Sequence, residues 1–223
     1  LHREDDLQVP ATAGRHLAGT LPNASYVDCG AGGHLFWTGD TEQSLSEIRQ
    51  FLNGTAPSDT DENRVLSTIL MTDIVGSTET AQRLGDGVWR DLLDRHDQIT
   101  SEIIALNRGR LIKSTGDGVL ATFDGPGRAI ESAQQLIERL EVIGINIRVG
   151  VHTGEIELRG NDIGGINVHI AARIQDLAGA SEVLTTRTVT DLMVGDAGVR
   201  FESQGLQPLK GIPGDWEVFR AKR

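Results

Sequence analysis

Residues 110–123 read RLIKSTGDGVLATF. Two β-prone runs flank Thr115-Gly116-Asp117-Gly118, and Asp and Gly there favour a tight turn. The stretch predicts a hairpin, and its neighbours decide the fold class. Upstream, VLSTILMTDI (65–74) is β-rich without alternation, as in a strand buried on both faces. Between the two, a helical region over about 78–106 carries Leu92, Ile99, Ile103 and Leu106 as its apolar stripe. Downstream, Ile130, Ala133, Leu136, Ile137 and Leu140 predict a second helix. Then Ile145, Ile147, Val149 and Val151 alternate with Asn146, Arg148, Gly150 and His152, a strand with one buried face. A Gly-rich loop (160–165) leads to a helix with Val168, Ile170, Ala171 and Ile174, and short strands near Val183, Phe201 and Val218 close the chain. The order β-α-β-β-α-β, followed by further α and β elements, predicts an α+β fold of ferredoxin-like type with helices on one face of the sheet.

Ahead of this region, TAPSDTDEN (55–63) lacks any large apolar residue and reads as a linker. It separates a short piece, 1–54, from a domain-sized one, 64–223. In the short piece SYVDCG (25–30) predicts a strand. Asp40 with Gln43 predicts a capping box for a helix carrying Leu45, Ile48 and Leu52. The chain opens on Leu1 with no signal-peptide pattern, and we expect it to be part of a longer protein.

Composition narrows the function classes. The 223 residues carry 32 Asp plus Glu against 21 Lys plus Arg, a net charge of −11, with no Lys/Arg-rich block. That balance disfavours nucleic acid as a partner. No apolar run is long enough to span a bilayer. Cys29 is the only cysteine, which excludes an intrachain disulfide framework and a Cys-based zinc site.

Four sets of residues carry candidate chemistry. Asp73 ends the first strand, and Gly76, Ser77 and Thr78 open a helix. A carboxylate takes a hard cation, and a helix N-terminus takes phosphate oxygens. Asp117 lies in the hairpin turn, and the ferredoxin-like topology would bring it beside Asp73 to hold two Mg²⁺ ions. Lys113 and Asp162 together match the adenine edge, with Lys donating to ring N1 and the carboxylate accepting from the N6 amine. Arg173 and Lys210 suit phosphate, the first as a fork and the second as a point charge. His169 lies one helical turn before Arg173. Each residue alone has an ordinary structural explanation as a cap, a turn or a solvated charge.

Read together, LMTDIVGST (70–78), IKSTGDGVLATF (112–123), IRVGVHTGEI (147–156), NDIGGINVHIAARI (161–174) and LKG (209–211) resemble the catalytic domain of class III nucleotidyl cyclases. The five stretches occur in family order and spacing. The resemblance implies an adenylate cyclase that closes ATP to cyclic AMP and pyrophosphate, using two Mg²⁺ or Mn²⁺ ions per site. It implies Asp73, Asp117 and the Ile74 carbonyl as metal contacts, and Lys113 with Asp162 as adenine readers. Arg173 would stabilise the transition state, and Lys210 would hold the triphosphate. It also implies a head-to-tail homodimer, because in this family one chain supplies the metal carboxylates and the other the base-reading residues. His169 departs from the family pattern, which has Asn there. Imidazole differs in shape and proton count, so we expect low or pH-dependent turnover. The alternative is a weak or inactive cyclase-like regulatory module. The turn of diguanylate cyclases, G-G-D/E-E-F, is absent.

The first piece resembles the C-terminal end of an α/β-hydrolase, through LHREDDLQVP, LPNASYVDCGAGGHLFWTGD and a helix ending FLNG. The resemblance gives Asp6 and His34 the triad positions. No G-x-S-x-G elbow occurs, so the two cannot act as a serine hydrolase within this chain. ATP as substrate and the lack of membrane segments lead us to expect a cytoplasmic location.

Overall fold

The computed structural model describes residues 1–35, 37–38, 41–53, 63–195 and 198–222. It divides into two compact units, Leu1–Glu62 and Asn63–Arg223. Apart from Asn63, the linker expected at 55–63 lies outside the described residues.

The first unit holds helices α1 (Ala11–Thr20) and α2 (Glu42–Asn53). Arg3 is buried, and its guanidinium Nη1 donates to the Gly32 and Thr38 carbonyls at 2.7 Å each. The strand expected at 25–30 reduces to one bridge, His2 with Asp28. A two-stranded ladder that short has little stability of its own. The helix expected from Leu45, Ile48 and Leu52 is α2, but Leu45 and Leu52 are exposed. Asp40 of the expected capping box lies outside the described residues, and Gln43 Nε2 donates to the Asp28 carbonyl instead.

The second unit contains β1 (Arg64–Ile74), α3 (Ser77–Leu84), α4 (Asp86–Leu106), β2 (Arg110–Ser114), β3 (Val119–Phe123), α5 (Pro126–Glu141) and β4 (Ile147–Arg159). These complete the expected β-α-β-β-α-β order, with two helices in the first crossover. After them come β5 (Asp162–Gly164), α6 (Ile166–Leu177), β6 (Glu182–Thr186), α7 (Arg187–Leu192), β7 (Arg200–Pro208) and β8 (Asp215–Lys222). The sheet runs β2-β3-β1-β4-β6-β8-β7, with β5 beside β4. Within β2-β3-β1-β4 every neighbouring pair is antiparallel, which is the ferredoxin-like core. β6 then joins β4 in parallel.

Alternation along the central strands separates two of the three buried clusters. Leu70, Ile74, Val119, Ala121, Val149 and Val151 pack with Ile103 and Ile104 of α4 and Ile130, Ala133, Leu136 and Leu140 of α5. Ile69, Leu120 and Ile156 point the other way and pack with Ile163 of β5 and Ala171 of α6. Helices therefore cover both faces of the sheet, not one. The second face is accessible to a helix because Gly150 has no side chain. A Cβ there would sit 2.4 Å from the Gln175 nitrogen and 2.5 Å from the Ala171 carbonyl oxygen. For the same reason β4 is buried on both faces around Gly150 and His152, where alternation predicted one buried face.

Four further expectations change. The helical stretch 78–106 is two helices, broken at Gly85, whose φ of 78° favours glycine. Leu106, expected in the apolar stripe, is 76% exposed. The Gly-rich loop at 160–165 is mostly hairpin, and Asp162 stands on β5 paired with Arg159 of β4. β1 is buried on both faces only beyond its exposed first residues.

Candidate active site

β1 ends at a cluster of acids. Asp73 and Ile74 are its last residues, and the Ile74 N–H donates to the Asp117 carbonyl at 2.8 Å. This bond ties the hairpin turn to the end of β1. Gly118 makes the approach possible, since a Cβ there would lie 2.0 Å from the Thr72 carbonyl oxygen. Burial pushes the Asp73 carboxyl above its ordinary pKa, and the neighbouring Asp117 charge adds to this against the opposing effect of Arg148. Gly76 adopts a left-handed φ of 66° and leads into α3. Ser77, the first residue of α3, donates from Oγ to Asp117 Oδ2 at 2.6 Å. Thr78 follows in the first turn. Ser77, Thr78, Gly116 and Asp117 line a cavity of about 500 Å³ together with Trp89 and Leu93 of α4.

Lys113 and Asp162 meet directly. Lys113 Nζ donates to Asp162 Oδ1 at 2.8 Å and to Oδ2 at 2.7 Å. Lys113 stands beside a bulge in β2. The ammonium, helped by the Ile163 N–H, holds the Asp162 carboxyl below its usual range. Both side chains are about half exposed, so the pair faces solvent.

Arg173 of α6 lies beside Lys210, with Nε donating to the Lys210 carbonyl at 3.2 Å. Its Nη1 donates to Asp176 Oδ2 at 2.8 Å. His169 is exposed on the same helix. Each sequence-predicted set thus assembles locally. Among the described residues no hydrogen bond or ion pair links the Asp73–Asp117 cluster to Lys113–Asp162 or to Arg173–Lys210.

Two features escaped sequence reasoning. Arg148 lies opposite Asp73 in the β1–β4 ladder and donates to its Oδ2 from Nε at 2.8 Å and from Nη2 at 2.6 Å. The signal was a charge inside an alternating apolar strand, but local periodicity does not name its partner. The second is a network that fixes the start of α6. Asn167 Nδ2 donates to the Glu155 carbonyl at 2.7 Å, which turns its Oδ1 toward His152 Nε2 at 2.9 Å. Nε2 therefore carries the proton, and Nδ1 accepts from Thr186 Oγ1 at 2.8 Å. The imidazole is neutral and saturated, and burial lowers its pKa.

No protein-family model matches the chain. Over 157 residues it is 30% identical to a putative adenylate cyclase 3 of Rhizobium meliloti, covering 67% of this chain and 27% of that protein. The chain spans between 20% and 32% of the length of this and two further curated relatives, a serine/threonine-protein kinase pkn2 of Myxococcus xanthus and an adenylate cyclase of Streptomyces coelicolor. Among solved structures, the adenylyl cyclase CyaB from P. aeruginosa superposes with a TM-score of 0.67 at 21% identity, covering 72% of this chain and 95% of that one. The second unit has the class III cyclase fold. A structure described as adenylate/guanylate cyclase/hydrolase from Silicibacter pomeroyi shares that fold at 28% identity and a TM-score of 0.61, covering 70% and 96%.

In this cyclase-fold unit the donors at the β1 end are two carboxylates and a backbone carbonyl, all hard oxygens. Among the described residues no group of three or more His, Cys, Asp or Glu gathers to hold a metal. Two carboxylates nonetheless fit Mg²⁺ or Mn²⁺, which bind few protein groups and complete their shell with water and phosphate oxygens. The like charges already crowd each other, and a cation would relieve that. No helix among the described residues is long and apolar enough to cross a membrane.

Proposed function

We propose that the second unit is an adenylate cyclase, converting ATP to 3′,5′-cyclic AMP and pyrophosphate. The observation that carries this reading is the Lys113–Asp162 pair, with its donor and acceptor side by side and facing solvent. An ammonium donor beside a carboxylate acceptor matches adenine N1 and N6. Guanine presents an acceptor and a donor in the reverse order.

Asp73, Asp117 and the Ile74 carbonyl would hold two divalent ions. When bound, such ions lower the pKa of the attacking hydroxyl and offset phosphoryl charge. The N–H groups at Gly76, Ser77 and Thr78 would take phosphate oxygens, and Lys210 would steady the triphosphate. Arg173 would approach the α-phosphoryl oxygens as negative charge grows on them, and His169 would donate a hydrogen bond toward the ribose. Most of the catalysis would be positioning and charge stabilisation. The separation of the two half-sites within one chain supports a head-to-tail homodimer with complete sites between protomers. A domain that consumes ATP this way belongs in the cytoplasm.

His169 favours a second reading, a weak or inactive nucleotide-binding module. It stands exposed where the family pattern has Asn. We read the first unit as the C-terminal end of an α/β-hydrolase, supported by His34 Nδ1 at 2.9 Å from Asp6 Oδ2. Asp6 also accepts from the Gln8 and Val9 N–H groups, and these bonds, with His34, hold its pKa down at about 2.

The test is product formation by the purified chain, with ATP and GTP supplied separately and Mg²⁺ or Mn²⁺ present. Cyclic AMP that disappears in Asp73→Ala supports the cyclase. A folded dimer that yields no product from either nucleotide supports the regulatory module.

A further inference from the structure

Helix α6 carries His169 and Arg173, yet its entry is built from glycine. Its N-cap is Gly165, at a left-handed φ of 109°, which offers no capping side chain. A glycine entry leaves the direction of the helix loosely fixed. The helix is held from its inner face instead. Asn167, in its first turn, lies against β4 where Gly154 has no side chain. A Cβ at Gly154 would sit 2.4 Å from Asn167 Cγ, 2.5 Å from its Oδ1 and 2.8 Å from its Nδ2. In that socket Nδ2 donates to the Glu155 carbonyl at 2.7 Å, and Oδ1 accepts from His152 Nε2 at 2.9 Å. His152 is anchored in turn. Its Nδ1 accepts from Thr186 Oγ1 of β6, and its ring meets Trp216 of β8 edge-on, with centroids 5.8 Å apart. One amide thus ties α6 to three neighbouring strands, β4, β6 and β8.

We propose that Asn167 is a positioning residue for the cyclase reaction: its amide sets the roll of α6 and so the aim of His169 and Arg173. The inference rests on reading the second unit as a cyclase. Helix residues advance by about 100° each, so His169 and Arg173 project from the side of α6 away from Asn167. Ile170, Ala171 and Ile174 pack the helix into the core. Those contacts are non-directional and resist separation more than a small roll. The hydrogen bonds of Asn167 are directional and resist the roll itself. A shift of about 1 Å at a reacting group can cost roughly a hundredfold in rate.

The test follows kcat and KM for ATP with Mg²⁺, the denaturant midpoint, and backbone hydrogen exchange in the first turn of α6, all on the full chain. Asn167→Ala should lower kcat about tenfold or more with KM nearly unchanged, because Lys113 and Asp162 are untouched. Exchange in the first turn should speed up while the apolar contacts keep the unit folded. Asn167→Asp keeps the acceptor for His152 but loses the donor to Glu155, so its kcat should fall between the two. Gly154→Ala puts a methyl group into the socket and should also lower kcat. In the Asn167→Ala background it should add little, because the amide it meets is gone. A folded Asn167→Ala chain with wild-type kcat overturns the proposal, as do unchanged exchange at α6 or fully additive losses from the two substitutions. Should Asn167→Ala fail to fold, Asn167→Asp decides by the same criteria. If the wild-type chain forms no cyclic AMP, the cyclase reading fails and this role falls with it. Faster exchange in Asn167→Ala would then mark the amide as structural only.

Discussion

Lys113 and Asp162 are 49 positions apart in sequence and 2.7 Å apart in space. The sequence offered the two as candidates for reading adenine, but their contact was not legible. Both are about half exposed, so their ion pair contributes little to stability. Lys113→Glu with Asp162→Cys should leave the denaturant midpoint almost unchanged, since exposed ion pairs contribute little to stability. The same change should lower the ATP-over-GTP ratio of kcat/KM by about tenfold or more, because it removes a matched donor and acceptor. An unchanged ratio would remove the pair from base recognition. His152 makes a stability prediction with a definite sign. Its folded pKa lies below the ordinary 6.5, so the unfolded chain takes the proton first. Its contribution is complete above about pH 6.5 and is lost as pH falls from there through the folded value. Denaturant midpoints measured from pH 7.5 to 5 should fall in wild type more steeply than in His152→Gln. His152 stood out in the sequence only as one residue of an alternating strand. Its saturation by Thr186 and by Asn167, the latter oriented by the Glu155 carbonyl, needed the tertiary contacts.

Among the elements, the hairpin was the most legible. Its turn residues, its strand limits and its bond from the Thr115 N–H to the Gly118 carbonyl at 2.8 Å follow from local chemistry. Helix α5 was equally clear, because Ile130, Ala133, Leu136 and Leu140 repeat at helical spacing and are fully buried. The break at Gly85 and the short strand β5 were not legible. Glycine within a periodic run is often tolerated, and three residues carry too little pattern to declare a strand. The β4–α6 contact makes a sharp test. Gly150→Ala places a methyl group against the α6 backbone, which cannot rotate aside as a side chain would. It should destabilise the unit by about 1–3 kcal/mol, the range for overpacking a tight core. Urea denaturation measures this, and a change under about 0.5 kcal/mol would mean that α6 shifts freely. If the proposed function holds, the cost should be matched by lost product formation, since α6 carries the candidate residues His169 and Arg173.

At the scale of the whole molecule the proposed head-to-tail homodimer makes a testable prediction. In a closed two-fold dimer each surface patch is used twice, so two complete sites arise from one pair of patches. Chains carrying Asp73→Ala and chains carrying Arg173→Ala should each be inactive. Mixed equally and allowed to exchange, they should recover about a quarter of wild-type activity. Half of the dimers are then mixed, and each mixed dimer keeps one of two sites intact. No recovery, with subunit exchange shown by an independent label, would place the site within one chain.

The sequence by itself determined the hydrophobic periods, the turn chemistry and the order of elements, and with these the α+β class and the identity of the candidate site residues. All of these depend on neighbours a few positions away, where geometry is set by the backbone. The tertiary structure alone decided that helices cover both faces of the sheet, that Lys113 meets Asp162, and that Arg148 grips Asp73. Those contacts depend on strand register between segments dozens of residues apart. Register is fixed by how two buried faces fit together, which no local pattern records.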